Sequence, residues 1–126
     1  MSTIKANTLL HSDGSTTTQP SIPALDTRMA KAWINFYAIG AQSIRGSYNV
    51  SSLTDDGVGD HVINFTTAMP NANYSVTGSG SGDSFGTADT CFGPYEFGTG
   101  LVKMGVYHSG SVAVDRDIVC VHVFGS

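Results

Sequence analysis

Two pairs of closely spaced acids, Asp55/Asp56 and Asp115/Asp117, come nearest to a catalytic arrangement in this chain of 126 residues. Two carboxyls flanking a glycosidic bond can divide the acid, base and nucleophile roles between them. Here both pairs stand in turn-forming contexts, Asp55-Asp56-Gly57 and Asp115-Arg116-Asp117, where acids are ordinarily solvated. No other hydrolase signature supports them. Gly78-Ser79-Gly80-Ser81-Gly82 superficially resembles a nucleophile elbow, but its serines occupy the wrong positions of G-x-S-x-G. Gly98-Thr99-Gly100 lacks the third glycine of a dinucleotide fingerprint, and no P-loop occurs. The expectation is a protein that is not an enzyme, with no catalytic residue to assign.

Metal chemistry has one candidate. Asp55, Asp56 and Asp60 surround Gly57 and Gly59 and could offer oxygen ligands to Ca²⁺. The same composition is what a hairpin loop uses, and that reading is preferred. His11, His61, His108 and His122 lack ligand spacing. His122, among apolar neighbours, reads as a core histidine, or in a trimer as a residue near the threefold axis. Cys91 and Cys120 are expected as two free thiols, Cys120 behaving as a small hydrophobe. No metal and no cofactor is expected. Asn49-Val50-Ser51, Asn64-Phe65-Thr66 and Asn73-Tyr74-Ser75 match the glycosylation sequon but read as strand residues.

The elements that must position any site are strands. In Ala32–Tyr37, Ala32, Ile34 and Phe36 alternate with Trp33, Asn35 and Tyr37. Ser43–Val50 places Ile44, Tyr48 and Val50 on one face, and Asp60–Thr66 places Ile63 and Phe65. Period two in β-branched and aromatic residues marks half-buried strands. Ser52–Gly59 reads as the turn between the last two. Asn73–Gly78, Leu101–Tyr107 and Ile118–Phe124 are further strands, with Val112–Val114 beginning a return strand that Asp115-Arg116-Asp117 interrupts. Alternation puts Tyr48 and Tyr74 in the core. Ser79–Thr90 reads as a long loop and Phe92–Gly100 as aromatic and turn-rich. Ile118–Phe124 is apolar on both faces, with Val119, Val121 and Val123 opposite Ile118, Cys120, His122 and Phe124. One face would meet the core and the other a partner chain.

Residues 1–30 differ from the rest. His11–Pro23 is rich in Ser, Thr, Gly and Pro and cannot bury a core alone. Leu25 and Met29, four apart, suit one short helical turn. The division expected is an N-terminal extended arm over residues 1–30 and a tip domain over residues 31–126.

Composition narrows the function further. Only 13% of residues are charged, against 40% apolar, and 15 are Gly. Such a surface is solvated by hydroxyls and amides, as suits any neutral β-domain or, more sharply, a virion or extracellular protein. The net charge of -4, with basic residues scattered, argues against nucleic acid. No apolar run approaches membrane-spanning length, and MSTIKANTLL lacks a basic segment followed by an apolar one, so neither membrane insertion nor a secretory signal is expected. What remains is aromatic and amide-rich surface, of the kind that binds sugars through a ring face and planar hydrogen-bonding groups.

The stretch from Lys31 to Gly78 carries a resemblance. KAWINF, SYNVSS, the Asp-Gly loop and HVINFTTAMPNANYSV, preceded by STIKANTLLHSDGSTTTQPSIPALDTRMAK, look like the distal, C-terminal receptor-binding module of a bacteriophage tail fibre, as in phages of aquatic bacteria and cyanobacteria. The likeness is firm over Met1–Gly78 and looser over Ser79–Ser126. Tyr37–Gln42 departs from the Asn/Gly-rich turn of such modules. The resemblance implies a homotrimer, joined to the rest of the fibre, carried in the virion and assembled in the bacterial host cytoplasm. Its partner would be a bacterial cell-surface glycan or outer-membrane receptor. The alternatives are a structural fibre or baseplate module, and a polysaccharide depolymerase tip.

The combined expectation is an all-β antiparallel sandwich that recognises a host surface. Counting hairpins from the arm puts Tyr37–Gln42 at the far end, Ser52–Gly59 near the arm and Met69–Asn73 far again. Ser79–Gly100, the longest and least apolar stretch, could lie over the far end or the flank, so the residues expected to bind receptor are Tyr37, Ser84, Phe85, Tyr95 and Phe97, with Asn71 and Asn73 as amide partners.

Overall fold

A computed structural model describes residues 1–15, 22–82, 90–108 and 111–125. Ser84 and Phe85, and most of the expected Ser79–Thr90 loop, lie outside the described residues.

Residues 1–15 form no strand or helix, and nearly all are exposed. One helical turn, α1 (Pro23–Asp26), starts on a proline whose fixed φ suits the first helical position. Among the described residues nine strands follow: β1 (Ala30–Tyr37), β2 (Ser43–Tyr48), β3 (Val50–Gly57), β4 (Asp60–Phe65), β5 (Ser75–Ser81), β6 (Thr90–Phe97), β7 (Leu101–His108), β8 (Val112–Ala113) and β9 (Ile118–Phe124). They build two antiparallel sheets, β2-β1-β9-β5 and β3-β4-β7-β6, with β8 extending the second sheet beside β7.

The inward residues of the two sheets make the core. Ala32, Ile34 and Phe36 of β1 and Val119, Val121 and Val123 of β9 meet Ile63 and Phe65 of β4 and Val102, Met104 and Val106 of β7. Each set is the apolar half of an alternating run, so burial follows the pleat. Phe92 of β6 crosses the gap to the other sheet. A Cβ on Gly78 of β5 would stand 2.7 Å from its ring, so only glycine fits there.

β3 is the principal correction to the sequence reading, which took Ser52–Gly59 as a turn. The turn is confined to Gly57–Asp60, and the residues before it pair with β4 from Val50↔Phe65 to Gly57↔Asp60. SSLTDD has no apolar alternation because β3 is an edge strand, exposed on most of its length. The switch of sheets happens at Asn49. Its φ is 55°, and its side chain donates to Lys31 O (3.0 Å) and Thr67 O (3.1 Å) and accepts from Thr67 N (2.7 Å). An Asn tolerates this left-handed corner and bonds its own surroundings there. The Phe92–Gly100 segment, read as turn-rich, is largely strand β6, with Pro94 and a bulge at Tyr95 on a sheet edge.

The extra strand inverts the hairpin count. Ala30 pairs with Phe124, which pairs with Ser75, so the arm enters at the end where β9 finishes and β5 begins. Met69 N donates to Thr99 O and Phe65 N to Gly100 O at this same arm end. Met69–Asn73 is therefore near the arm, and the Gly57–Asp60 turn is at the far end.

Tyr48 is exposed, not core: a bulge at Arg45 shifts β2 so that Tyr48 pairs with Trp33 on the outer face. Tyr74 is buried as expected. The buried histidine is His61 rather than His122, which is exposed on the outer face of β9. Cys91 and Cys120 are free and belong to different sheets.

Candidate functional site

The far end is assembled from loop 38–42, the Gly57–Asp60 turn and the crossing 114–117 from β8 to β9. Ala38 N donates to Arg116 O (3.0 Å), and Gly59 N donates to Asp115 Oδ1 (2.7 Å). Gly59 must be glycine, because its φ is 67° and a Cβ would meet Val106 O at 2.5 Å. Beneath these loops lies His61, fully buried, edge-on to Phe36 and with Nδ1 2.8 Å from Gln42 Nε2. The amide nitrogen of Gln42 donates to Nδ1, which leaves the proton on Nε2, facing Asp115 Oδ1 at 4.0 Å. His61 Nε2 and Gln42 Oε1 have no hydrogen-bond partner among the described residues. Burial, first, pushes the imidazole below its ordinary value, against the raising fields of Asp115, Asp55 and Asp60. The rim above is apolar and exposed: Ile39 by 45%, Val58 by 64% and Val112 by 62%. Tyr37 ends β1 at this rim, half-buried, with the Arg45 guanidinium 5.7 Å from its ring centroid.

A second surface covers the outer face of the β3-β4-β7-β6 sheet. Tyr95, at the β6 bulge and half exposed, donates its hydroxyl to Asp60 Oδ1 at 2.5 Å. That bond, foremost, pushes the phenol up to about 12. Lys103 bridges Asp56 (3.3 Å) and Glu96 (3.7 Å), and its ammonium is raised chiefly by Asp56. The Tyr107 ring lies over Gly105, beside the cross-strand Gly93.

A third feature is an open cleft of ≈ 520 Å³ between β5 and β6. On the β5 side Val76 is the inward side chain, since Gly78 and Gly80 add none, and Phe92 and Pro94 line the β6 side.

The residues expected to bind receptor are not brought together. Tyr37 is at the far end, and Tyr95 is on the flank. Phe97 is at the arm end, its ring 5.3 Å from that of Tyr74. Asn71 and Asn73 share the arm-end loop, where Asn71 Oδ1 accepts from Asn73 N at 2.8 Å. The acids weighed for chemistry come to the far end but are each engaged separately. Asp55 Oδ1 accepts from Gly57 N, Asp56 pairs with Lys103, Asp60 accepts from Tyr95 and Asp115 holds Gly59. Among the described residues no three His, Cys, Asp or Glu side chains group to hold a metal ion. No helix among them is long and apolar enough to cross a membrane.

Sequence reading missed the pairing of Gln42 with His61. Alternation was the available signal, since His61 shares its face with Ile63 and Phe65. Ile39 and Val58 were missed because isolated apolar residues in turns carry no periodic signal, and Val112 because a strand as short as β8 shows none either. Comparison with known proteins yields no matching family model, no matching curated protein and no matching solved structure.

Proposed function

We propose that this chain is the tip domain of a bacteriophage tail fibre, assembled as a homotrimer, and that it attaches the virion to a bacterial surface glycan or outer-membrane receptor. One observation carries the reading. The arm enters the sandwich at the end where β9 finishes, so loop 38–42, the Gly57–Asp60 turn and the 114–117 crossing share the opposite end. A domain tethered through its arm presents that opposite end to whatever it meets, and loops on a rigid sheet scaffold are where binding residues collect. The likeness of Lys31–Gly78 to tail-fibre tips supports the same reading.

The contact surface follows from the strand order rather than from the hairpin count. Tyr37, Ile39, Val58 and Val112 form the receptor-facing rim, and His61, Gln42 and Asp115 hold its loops. Tyr95 with Asp60 is a flank position that a long glycan chain could reach. Weak contacts by single domains would be multiplied when three tips engage together.

The test is competition. Purified chain added to susceptible cells should bind them and slow phage adsorption. Binding without competition would favour the structural-module alternative, and release of new reducing ends from host glycan would favour a depolymerase.

A further inference from the structure

A sandwich of two open sheets has four edges, and unpaired strand edges invite pairing with other chains unless something blocks them. Three of the four are blocked here. The β2 edge carries a bulge at Arg45. The β3 edge carries two bulges, at Ser51 and Asp56. The β6 edge carries Pro94, which has no N–H to offer, and a bulge at Tyr95 followed by Glu96. The fourth edge, β5, is different. It keeps unbroken register with β9 from Ser75↔Phe124 to Ser81↔Ile118, without bulge, proline or charge. Every second residue of such a strand aims its N–H and C=O away from the sheet. Among the described residues nothing pairs with that side.

The chain also holds a segment suited to it. Residues 1–10 are exposed throughout and make no hydrogen bond to any described residue. Their sequence alternates: Ile4, Ala6, Thr8 and Leu10 fall on one face of an extended strand, and Thr3, Lys5, Asn7 and Leu9 on the other. Beside β5, the Ile4–Leu10 face would point into the cleft that Gly78 and Gly80 leave open, over Phe92 and Pro94. The other face would continue the outer surface of Ser75, Thr77, Ser79 and Ser81.

We propose that β5 is an acceptor edge, and that the strand it accepts is the Thr3–Leu10 segment of a neighbouring copy of this chain. The donated strand extends the β2-β1-β9-β5 sheet and closes the cleft with apolar side chains. Donation from copy to copy is a head-to-tail contact that closes when the ring is complete. The proposal does not depend on what the far end binds.

The experiment compares amide hydrogen exchange in β5, alongside the mass by light scattering, in three full-length chains. These are the natural chain, one carrying Ala6→Pro with Thr8→Pro, and one carrying Ser79→Lys. All three altered positions are exposed, so the sandwich should persist, and slow exchange in β1 and β4 verifies it. In the natural chain, outward amides of Ser75–Ser81 should be protected at concentrations where the mass exceeds 13.2 kDa. The proline pair and the edge lysine should each speed their exchange on the order of tenfold or more and lower the mass. Equal β5 exchange in all three chains would overturn the proposal. So would protection that persists in a monomer, because the strand would then come from the same chain.

Discussion

The two ends of the sandwich are closed by different chemistry. At the arm end, Tyr74 plugs the gap between the sheets. Its ring meets Phe65 at 5.8 Å and Phe97 at 5.3 Å, and its hydroxyl donates to Gly98 O and Leu101 O. Beside it the uncharged Asn49 side chain ties Lys31 and Thr67 together. At the far end the closure is a histidine, an amide and a carboxylate: His61, Gln42 and Asp115. Aromatic packing and neutral hydrogen bonds hold one geometry over a wide pH range. A buried imidazole facing acids holds it only while neutral. The arm end is thus built as an anchor, and the far end as a set of loops whose support is polar and adjustable.

The largest effect should come from removing the plug. Tyr74→Ala loses both ring contacts and takes the hydroxyl from Gly98 O, while Leu101 O keeps the Gly98 N–H, for a cost of about 3–5 kcal/mol in urea unfolding. Tyr74→Phe keeps the packing and should cost about 1 kcal/mol. Similar losses for both would mean that the hydroxyl, not the ring, secures this end. Next is the corner. Asn49→Ala removes three hydrogen bonds and forces alanine to a positive φ, for about 2 kcal/mol or more.

Much of the anchor was legible in the sequence, and little of the far end was. The core faces of β1, β4, β7 and β9 follow from strict alternation, and Tyr74 follows from its step to Val76. β3 was illegible because an exposed edge strand needs no apolar alternation, so SSLTDD looked like a turn. That one strand reversed the assignment of ends and moved Asn71 and Asn73 to the arm side, whereas Phe97 lies there because its stretch, read as turn-rich, is strand β6 beside β7. Tyr48 was misread because the Arg45 bulge changes the face of every residue after it, and a bulge leaves no compositional trace. The far-end loops meet through Gln42, His61 and Asp115, which lie far apart in the chain, and a single sequence does not record such partners.

The contrast between the ends has a pH signature. His61 is held below 6.5 in the folded chain. As the pH falls through 6.5, the unfolded chain takes up the proton first and stability is lost until the folded value is passed. Neutral pH therefore carries the full contribution. Urea midpoints should fall between pH 7.5 and pH 5, and His61→Gln should reduce that fall. Equal slopes in the two chains would remove His61 as the source. The smallest effect is local to the flank. Asp60→Asn should bring the Tyr95 phenol down from about 12 towards 10.0 in an ultraviolet pH titration, with unfolding little changed. A titration left at about 12 would mean that Asp60 is not the cause.

The most direct measurement of the central claim is adsorption blocking by matched variants of the two ends. One full-length chain carries Ile39→Asp with Val58→Asp at the far end; the other carries Asn71→Asp with Asn73→Asp at the arm end. All four residues lie on loops or turns near the surface, so both chains should fold. The far-end chain should lose its block of phage adsorption by on the order of tenfold or more, as expected when apolar contacts at the centre of an interface are replaced by charge. The arm-end chain should block as well as the natural one. Loss in the arm-end chain with the far-end chain unaffected would contradict the account and place the receptor on the side where the arm enters.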